Sequence, residues 1–394
     1  RDLTRAIAWV IEMPYQFLRN LLIEGFQTGL GDAAVQIAPS LSWIAVIAIV
    51  IGVGHPARDW GLAALAGACF LYLAVFGQWD SAMVTLASVL VAVPIGAVGG
   101  LLLGILAYRR PWVERLLRPV LDLMQTVPVF AYLVPILILF GFGPVAALVA
   151  TVIYAMPPMI RVTIVALKGV PEELLEAARM MGATPRQMTW KVLVPAAVPT
   201  LMVGVNQVIM LTLNMVIIAS MIGAGGLGFD VLASLRKLDI GGGIEAGLAI
   251  VVMAIALDRT SQAFSERRLW RQRTGNLLQR HPWSMIALLV ILATFLLGLV
   301  TPAVQSYPEA WMISTGAFWS QAMEWINVTF FDTLEVIKTA LLKGVLLPVK
   351  KFFAGIPWLW GILATGLIAW RVAGWKLGIV AVLMMAFIAA SGLW

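Results

Sequence analysis

Long apolar runs recur along this chain, and they decide its solvent. Residues 81–108, between Asp80 and Arg109, carry no charged side chain. A bilayer core of roughly 30 Å takes about 20 residues of helix, so such a run suits a membrane span. About ten spans are predicted, at 38–54, 60–76, 81–108, 123–142, 144–167, 196–222, 244–257, 283–300, 357–370 and 376–394. None alternates in the manner of a barrel strand, so the expected fold class is all-α, a polytopic helical membrane protein. Of the 394 residues, 61% are hydrophobic and 12% charged, about half the charged share of a soluble domain. That balance excludes soluble enzymes, nucleic-acid binders and disordered scaffolds. The lipid bilayer is the first partner.

The basic residues set an orientation. With the first span running inward, eighteen Lys and Arg fall inside and nine outside, as the excess of cytoplasmic positive charge requires. The inner set comprises Arg58, then Arg109 to Arg118, Arg161 to Lys191, Arg259 to Arg280, and finally Arg371 and Lys376. The outer ones lie mostly in 1–37 and 301–356, which read as amphipathic rather than spanning. The expected location is the cell (inner) membrane, multi-pass. Cys69 sits alone in an apolar run, and two histidines and one cysteine leave no metal site and call for no cofactor. The chain opens on Arg1 without a signal peptide, so further sequence is expected upstream.

An internal repeat emerges at one offset. Trp43, Trp60 and Trp79 each have a tryptophan 315 residues later, at Trp358, Trp375 and Trp394. Gly29/Gly344, Leu62/Leu377 and Gly77/Gly392 keep the same spacing. Either a duplication produced these matches, or interfacial tryptophans simply recur, as they do in membrane proteins. On the duplication, residues 1–80 hold an amphipathic segment and two spans, 81–268 a core, and 269–394 the start of a second copy that stops at Trp394.

The segment Val170–Pro195, VPEELLEAARMMGATPRQMTWKVLVP, lies on the basic side between two spans. Pro171, with Glu172 and Glu173 behind it, suits a helix start. Gly182 fits the left-handed position that ends the helix, and Thr184-Pro185 caps a second short helix. Ala177 and Ala178 are small enough for close packing at the bend. Glu176, Ala177 and Ala178 are followed after three residues by Gly182, and after nine more by Val192, Leu193, Val194 and Pro195. This spacing resembles the EAA loop of ABC importer permeases, with Val in place of Ile and Leu in its last tetrad. The runs Leu121–Gly143, Tyr154–Arg161, Ile222–Gly228 and Ala256–Ala263 are similar to those of permeases for glycine betaine/proline-type osmoprotectants.

The resemblance covers about 80–268 and implies a type I importer (MetI-like) permease core of five spans, 81–108 to 244–257. It implies that the EAA loop at 171–195 couples to a cytoplasmic ABC ATPase dimer through Glu176, Ala177, Ala178, Arg179, Gly182 and Pro195. It also implies an extracytoplasmic substrate-binding protein and a second permease domain. The expected function is alternating-access import of glycine betaine, proline or choline-like compatible solutes.

Other residues are read directly. Pro128, Pro135, Pro157 and Pro158 interrupt helical hydrogen bonding inside spans, so Pro128 and Pro157 are candidate pathway hinges or static kinks. Gln207 and Asn214 share a face of 196–222; they line the substrate route or bond across helices. Gly96, Gly100 and Gly104 make a packing stripe. No G-x-x-x-x-G-K-[ST] occurs, so ATP hydrolysis is expected in a separate subunit and not in this chain. No charge interrupts 123–142 or 196–222, which argues against the alternative, an ion- or proton-coupled secondary transporter. A membrane-embedded enzyme fits less well, because no paired carboxylates or His/Cys cluster lies at membrane depth.

Overall fold

The computed structural model describes residues 2–28, 35–266, 282–298 and 301–392. Arg1, Gly29, Arg267, Arg268, Arg271, Arg273, Arg280 and Trp394 lie outside them. The chain divides into two units, 1–320 and 321–394.

In the first unit, α1 (Asp2–Arg19) is amphipathic. It buries Ile11 and Tyr15, four residues apart, and leaves Trp9, Met13 and Phe17 exposed. A short antiparallel ribbon, β1 (Phe26–Thr28) with β2 (Val35–Ala38), follows it; no strand was expected there. The hairpin of α2 (Trp43–Ala57) and α3 (Trp60–Val75) comes next. Ser42 caps the first helix by accepting from Ile44 N–H, and Asp59 caps the second by accepting from Leu62 N–H, each satisfying an orphan donor.

The core is built from α4 (Trp79–Arg109), α7 (Pro144–Lys168), α10 (Val194–Ala219) and α12 (Ile240–Glu266). Helices in lipid associate by close van der Waals contact, because water drives nothing there. The α4 glycine stripe serves that contact. A Cβ on Gly100 would come within 2.6 Å of Met159, and one on Gly104 within 2.5 Å of Thr163, both on α7. Gly96 faces Val208 of α10. Buried Thr151 and Ser220 bond back one helical turn, to the Ala147 and Val216 carbonyls at 2.8 Å each.

The predicted span 123–142 is broken. Its first residues belong to α5 (Pro111–Thr126), which bends by 106° from α6 (Val129–Phe140). Pro128 precedes α6 as its cap rather than kinking a continuous helix, consistent with the extended backbone favoured before proline. Charged Glu114, Arg115, Arg118 and Asp122 make α5 amphipathic, and with α6 it forms a bent pair, a broken span or a re-entrant loop.

Among the described residues four helices are long and apolar enough to cross a membrane, or six if each of two bent pairs counts as one span. The ten predicted spans are therefore not reached by length. Helices α2 and α3 have 15 and 16 residues, about 24 Å of helix against a core of roughly 30 Å. The same holds for α13 (Pro282–Gly298).

Beyond α12 and α13, the segment from α14 (Pro302–Gln305) to the start of α15 (Gly316–Thr329) straps three helix ends together. Gln305 donates to the Ser40 carbonyl, Trp43 donates to the Ala303 carbonyl at 3.2 Å, and Ile313 N–H donates to the Val75 carbonyl at 2.8 Å. The third end is that of α12, where Glu245 accepts from Thr315 N–H and Oγ1–H.

The second unit holds α16 (Phe331–Leu341), α17 (Leu347–Ala354), α18 (Trp358–Ala373) and α19 (Trp375–Ala390). The last two pack as a hairpin across Gly366 and Gly378, both buried.

Candidate functional site

The segment 171–195 folds as a hairpin at one end of the core. Its first arm, α8 (Glu172–Met180), starts at Pro171 and carries Glu172 and Glu173 in its first turn. Leu175 and Ala178 are buried, the leucine packing with Leu167 and Val170 at the end of α7. Glu176, Ala177, Arg179, Met180 and Met181 are exposed. Arg179 reaches Glu172 at 3.5 Å between exposed groups, a pair that contributes little to stability. Of the two alanines predicted to pack closely, only Ala178 does.

Gly182 makes the bend with φ +74°. Its N–H donates to the Arg179 carbonyl, and Ala183 N–H donates to that of Ala178. A Cβ there would meet nothing within 4 Å, so the backbone angle, not crowding, asks for glycine.

Thr184 and Gln187 form a reciprocal capping box at the start of α9 (Pro185–Gln187), the arrangement that satisfies two orphan donors at once. The second arm is not a separate helix, as expected, but the beginning of a 35-residue helical stretch, Pro185–Ala219. A π-helical turn at Met188–Leu193 joins α9 to α10, absorbing an extra residue without a break. Pro195 is exposed near the start of α10, where its missing N–H costs little.

Three basic residues tie this end together. Arg109, the last residue of α4, donates to Thr189 Oγ1 and to the Pro185 carbonyl. Lys168 donates to both Glu114 oxygens at 2.7 and 2.9 Å, and Arg161 pairs with Asp122. The hydrogen bond from Lys168 holds the Glu114 carboxyl below the usual carboxylate range, assisted by Arg118.

The candidate pathway residues separate. Gln207 and Asn214 are exposed on one face of α10, in line with exposed Val203 and Met210. The bond across helices belongs instead to their neighbour Asn206, which accepts from Ser261 Oγ–H of α12 at 2.8 Å. Pro128 is exposed, whereas Pro157 is buried in α7. The structure does not bring these four together on one surface.

At the opposite end of the core, Gly223, Gly225 and Gly226, all with positive φ, let the chain turn from α10 into α11 (Leu227–Lys237). Gly226 has φ +81°, and a Cβ there would come within 2.5 Å of Thr85 Oγ1. That hydroxyl accepts from Leu227 N–H at 3.0 Å.

Two residues escaped the sequence reading. Glu245 is buried at the start of α12; a lone acidic residue beside an apolar run was its signal. Arg109 was counted only as one more inner positive charge.

The architecture is that of a multi-pass α-helical membrane permease. Residues 96–314 match the family described as binding-protein-dependent transport system inner membrane component. The trimethylamine N-oxide transport system permease protein TmoV of Pelagibacter ubique (strain HTCC1062) is 37% identical over 379 residues, 91% of this chain and 52% of that protein. The glycine betaine/proline betaine transport system permease protein ProW of Escherichia coli (strain K12) is 45% identical over 270 residues, 66% of this chain and 73% of that one. A solved inward-facing structure of the MetNI methionine ABC transporter aligns with 46% of this chain and 93% of its own, at 28% identity and a TM-score of 0.40. The chain spans about half the length of the TmoV relatives. It belongs to the family of binding-protein-dependent transport system inner membrane components.

Proposed function

We propose that this chain is the permease part of an ATP-driven importer of small methylated-amine solutes. The observation that carries the reading is the hairpin: Glu176, Ala177, Arg179 and Met180 stand exposed while Leu175 and Ala178 fix them to the core. That is the form of a surface a second protein grips. The proposed partner is a cytoplasmic ABC ATPase dimer, which hydrolyses the ATP that this chain has no loop to bind. Closure of the dimer moves the hairpins, and the core rocks between inward- and outward-open states.

The names of the relatives guide the substrate class. Trimethylamine N-oxide and the betaines of their titles share a fully substituted cationic nitrogen and an anionic oxygen. We assign this chain to solutes of that kind, delivered by an extracytoplasmic binding protein. Gln207 and Asn214, polar on an otherwise apolar uncovered face of α10, are the proposed pathway groups. A polar side chain facing lipid is costly, so a second permease domain is proposed to cover that face and share the pathway.

Reading 269–394 as the start of a second copy draws support from helix bounds. Trp43 and Trp358 each open a helix, and so do Trp60 and Trp375. Helices α3 and α19 both have 16 residues at the 315-residue offset. Trp394, partner of Trp79, lies outside the described residues.

Uptake of labelled trimethylamine N-oxide and glycine betaine, by the natural polypeptide with its ATPase and binding protein in proteoliposomes, tests the reading. Accumulation should require internal ATP and the binding protein. Uptake that ignores ATP and collapses with the proton or sodium gradient would overturn it in favour of secondary transport.

A further inference from the structure

We infer that Arg109 is the positioning residue that locks the coupling hairpin to α4, so that hairpin motion reaches the membrane core; this rests on the coupling reading above. Its Nε–H donates to Thr189 Oγ1 at 3.1 Å, and Nη2 donates to the same oxygen at 2.5 Å and to the Pro185 carbonyl at 2.6 Å. Thr189 is itself buried and donates to that carbonyl at 3.0 Å. One planar guanidinium thus holds the start of the second arm from two directions, a geometry that a lysine ammonium does not reproduce.

Three further features set Arg109 apart from the basic residues around it. Among the described residues it makes no ion pair, whereas Arg118, Arg161 and Lys168 each hold a carboxylate. Its bonds go to the hairpin alone. The apolar contacts run in parallel: Ile105 and Tyr108, in the last turn of α4, belong to one cluster with Met188, Val192 and Leu193. The bonded Thr189 also lies in the π-helical turn Met188–Leu193, where the looser helix would otherwise flex between hairpin and α10. Without Arg109, a push on α8 and α9 is absorbed in that turn. With it, the push arrives at the end of a 31-residue helix that crosses the whole core.

The test uses the assembled transporter and, separately, the permease chain alone. Arg109→Ala, Arg109→Lys and Thr189→Val are compared with the parent for uptake per ATP hydrolysed. In a Cys69→Ala background, spin labels at Met181→Cys and at Leu102→Cys, exposed on α4, report the spread of the hairpin-to-core distance without any ATPase. Arg109→Ala and Thr189→Val should broaden that distribution and lower uptake per ATP about tenfold, the order expected for losing charge-assisted hydrogen bonds. Arg109→Lys should fall between them and the parent. Broadening with unchanged uptake per ATP would make Arg109 a structural tie only and sink the inference. Lost coupling with an unchanged distribution would sink it too. Parent uptake that ignores ATP defeats the coupling reading itself, and the distance distribution then decides separately whether Arg109 holds the hairpin. Monodisperse protein with parental unfolding temperature is required of each variant; Thr189→Val, nearly isosteric, carries the test if Arg109→Ala fails that requirement.

Discussion

Gly366 on α18 lies directly against Val382 on α19, leaving no room for a side chain on the glycine. Exactly one repeat offset earlier, Ile51 on α2 lies against Gly67 on α3, where a Cβ would come within 2.9 Å of the isoleucine. The two hairpins keep one contact and exchange its large and small members. If they descend from one ancestor, the first should accept the second's solution. Ile51→Gly and Gly67→Val should each destabilise the permease, by about 1–3 kcal/mol through a cavity or overpacking. The double variant should recover most of that loss. Thermal unfolding in detergent reads the cycle, and simple addition of the two losses would count against a shared fold.

Gly182 offers a cleaner test of the hairpin than crowding would. Its φ of +74° and the open space around it mean that a side chain costs only backbone strain, about 1–2 kcal/mol. Asparagine tolerates that region better than leucine does. Gly182→Leu should insert into the membrane normally yet lose most transport, while Gly182→Asn keeps most of it. Equal and full uptake by both would show that the bend does not matter.

What could be read from the sequence followed from local chemistry. The capping threonine, the left-handed glycine and the α4 glycine stripe each follow from spacing or from one residue's own conformational preference. The break at Val127–Pro128 was harder to see, because 123–142 is apolar throughout its second half and hides a charged amphipathic helix upstream. Ser42 starts α2 at Trp43, five residues after the predicted start, whereas Asp59 starts α3 at Trp60, where the span was predicted. The bond between Asn206 and Ser261 depends on helix rotation, which spacing within one helix does not determine. Arg109 looked like any interfacial arginine, since its partners lie 76 and 80 residues away.

The stripe on α10 separates pathway from packing. Gln207→Leu and Asn214→Leu remove polar groups from an uncovered face, so unfolding should shift by no more than about 0.5 kcal/mol. Uptake should nevertheless fall severalfold. Asn206→Leu should do the reverse in kind, destabilising by about 1 kcal/mol as its bond to Ser261 is lost. Large destabilisation by Gln207→Leu with full uptake would assign that residue to packing.

The orientation is open to direct labelling, and the contacts choose the probes. The strap at 302–315 gathers the start of α2, the end of α3 and the start of α12. All three ends were predicted outside. Arg109 and the hairpin sit at the other end of α4, a helix of 31 residues, or about 46 Å. Gly241 is a poor probe site, because its Cβ would collide with the Gly316 carbonyl; Leu238, 83% exposed, and Ile313, 55% exposed, are free of that conflict. In a Cys69→Ala background, Arg110→Cys and Arg186→Cys should react with an impermeant maleimide only from the cytoplasmic side. Leu238→Cys and Ile313→Cys should react only from outside. Reaction of Arg186→Cys from outside would reverse the topology and put the hairpin beyond the reach of any cytoplasmic ATPase.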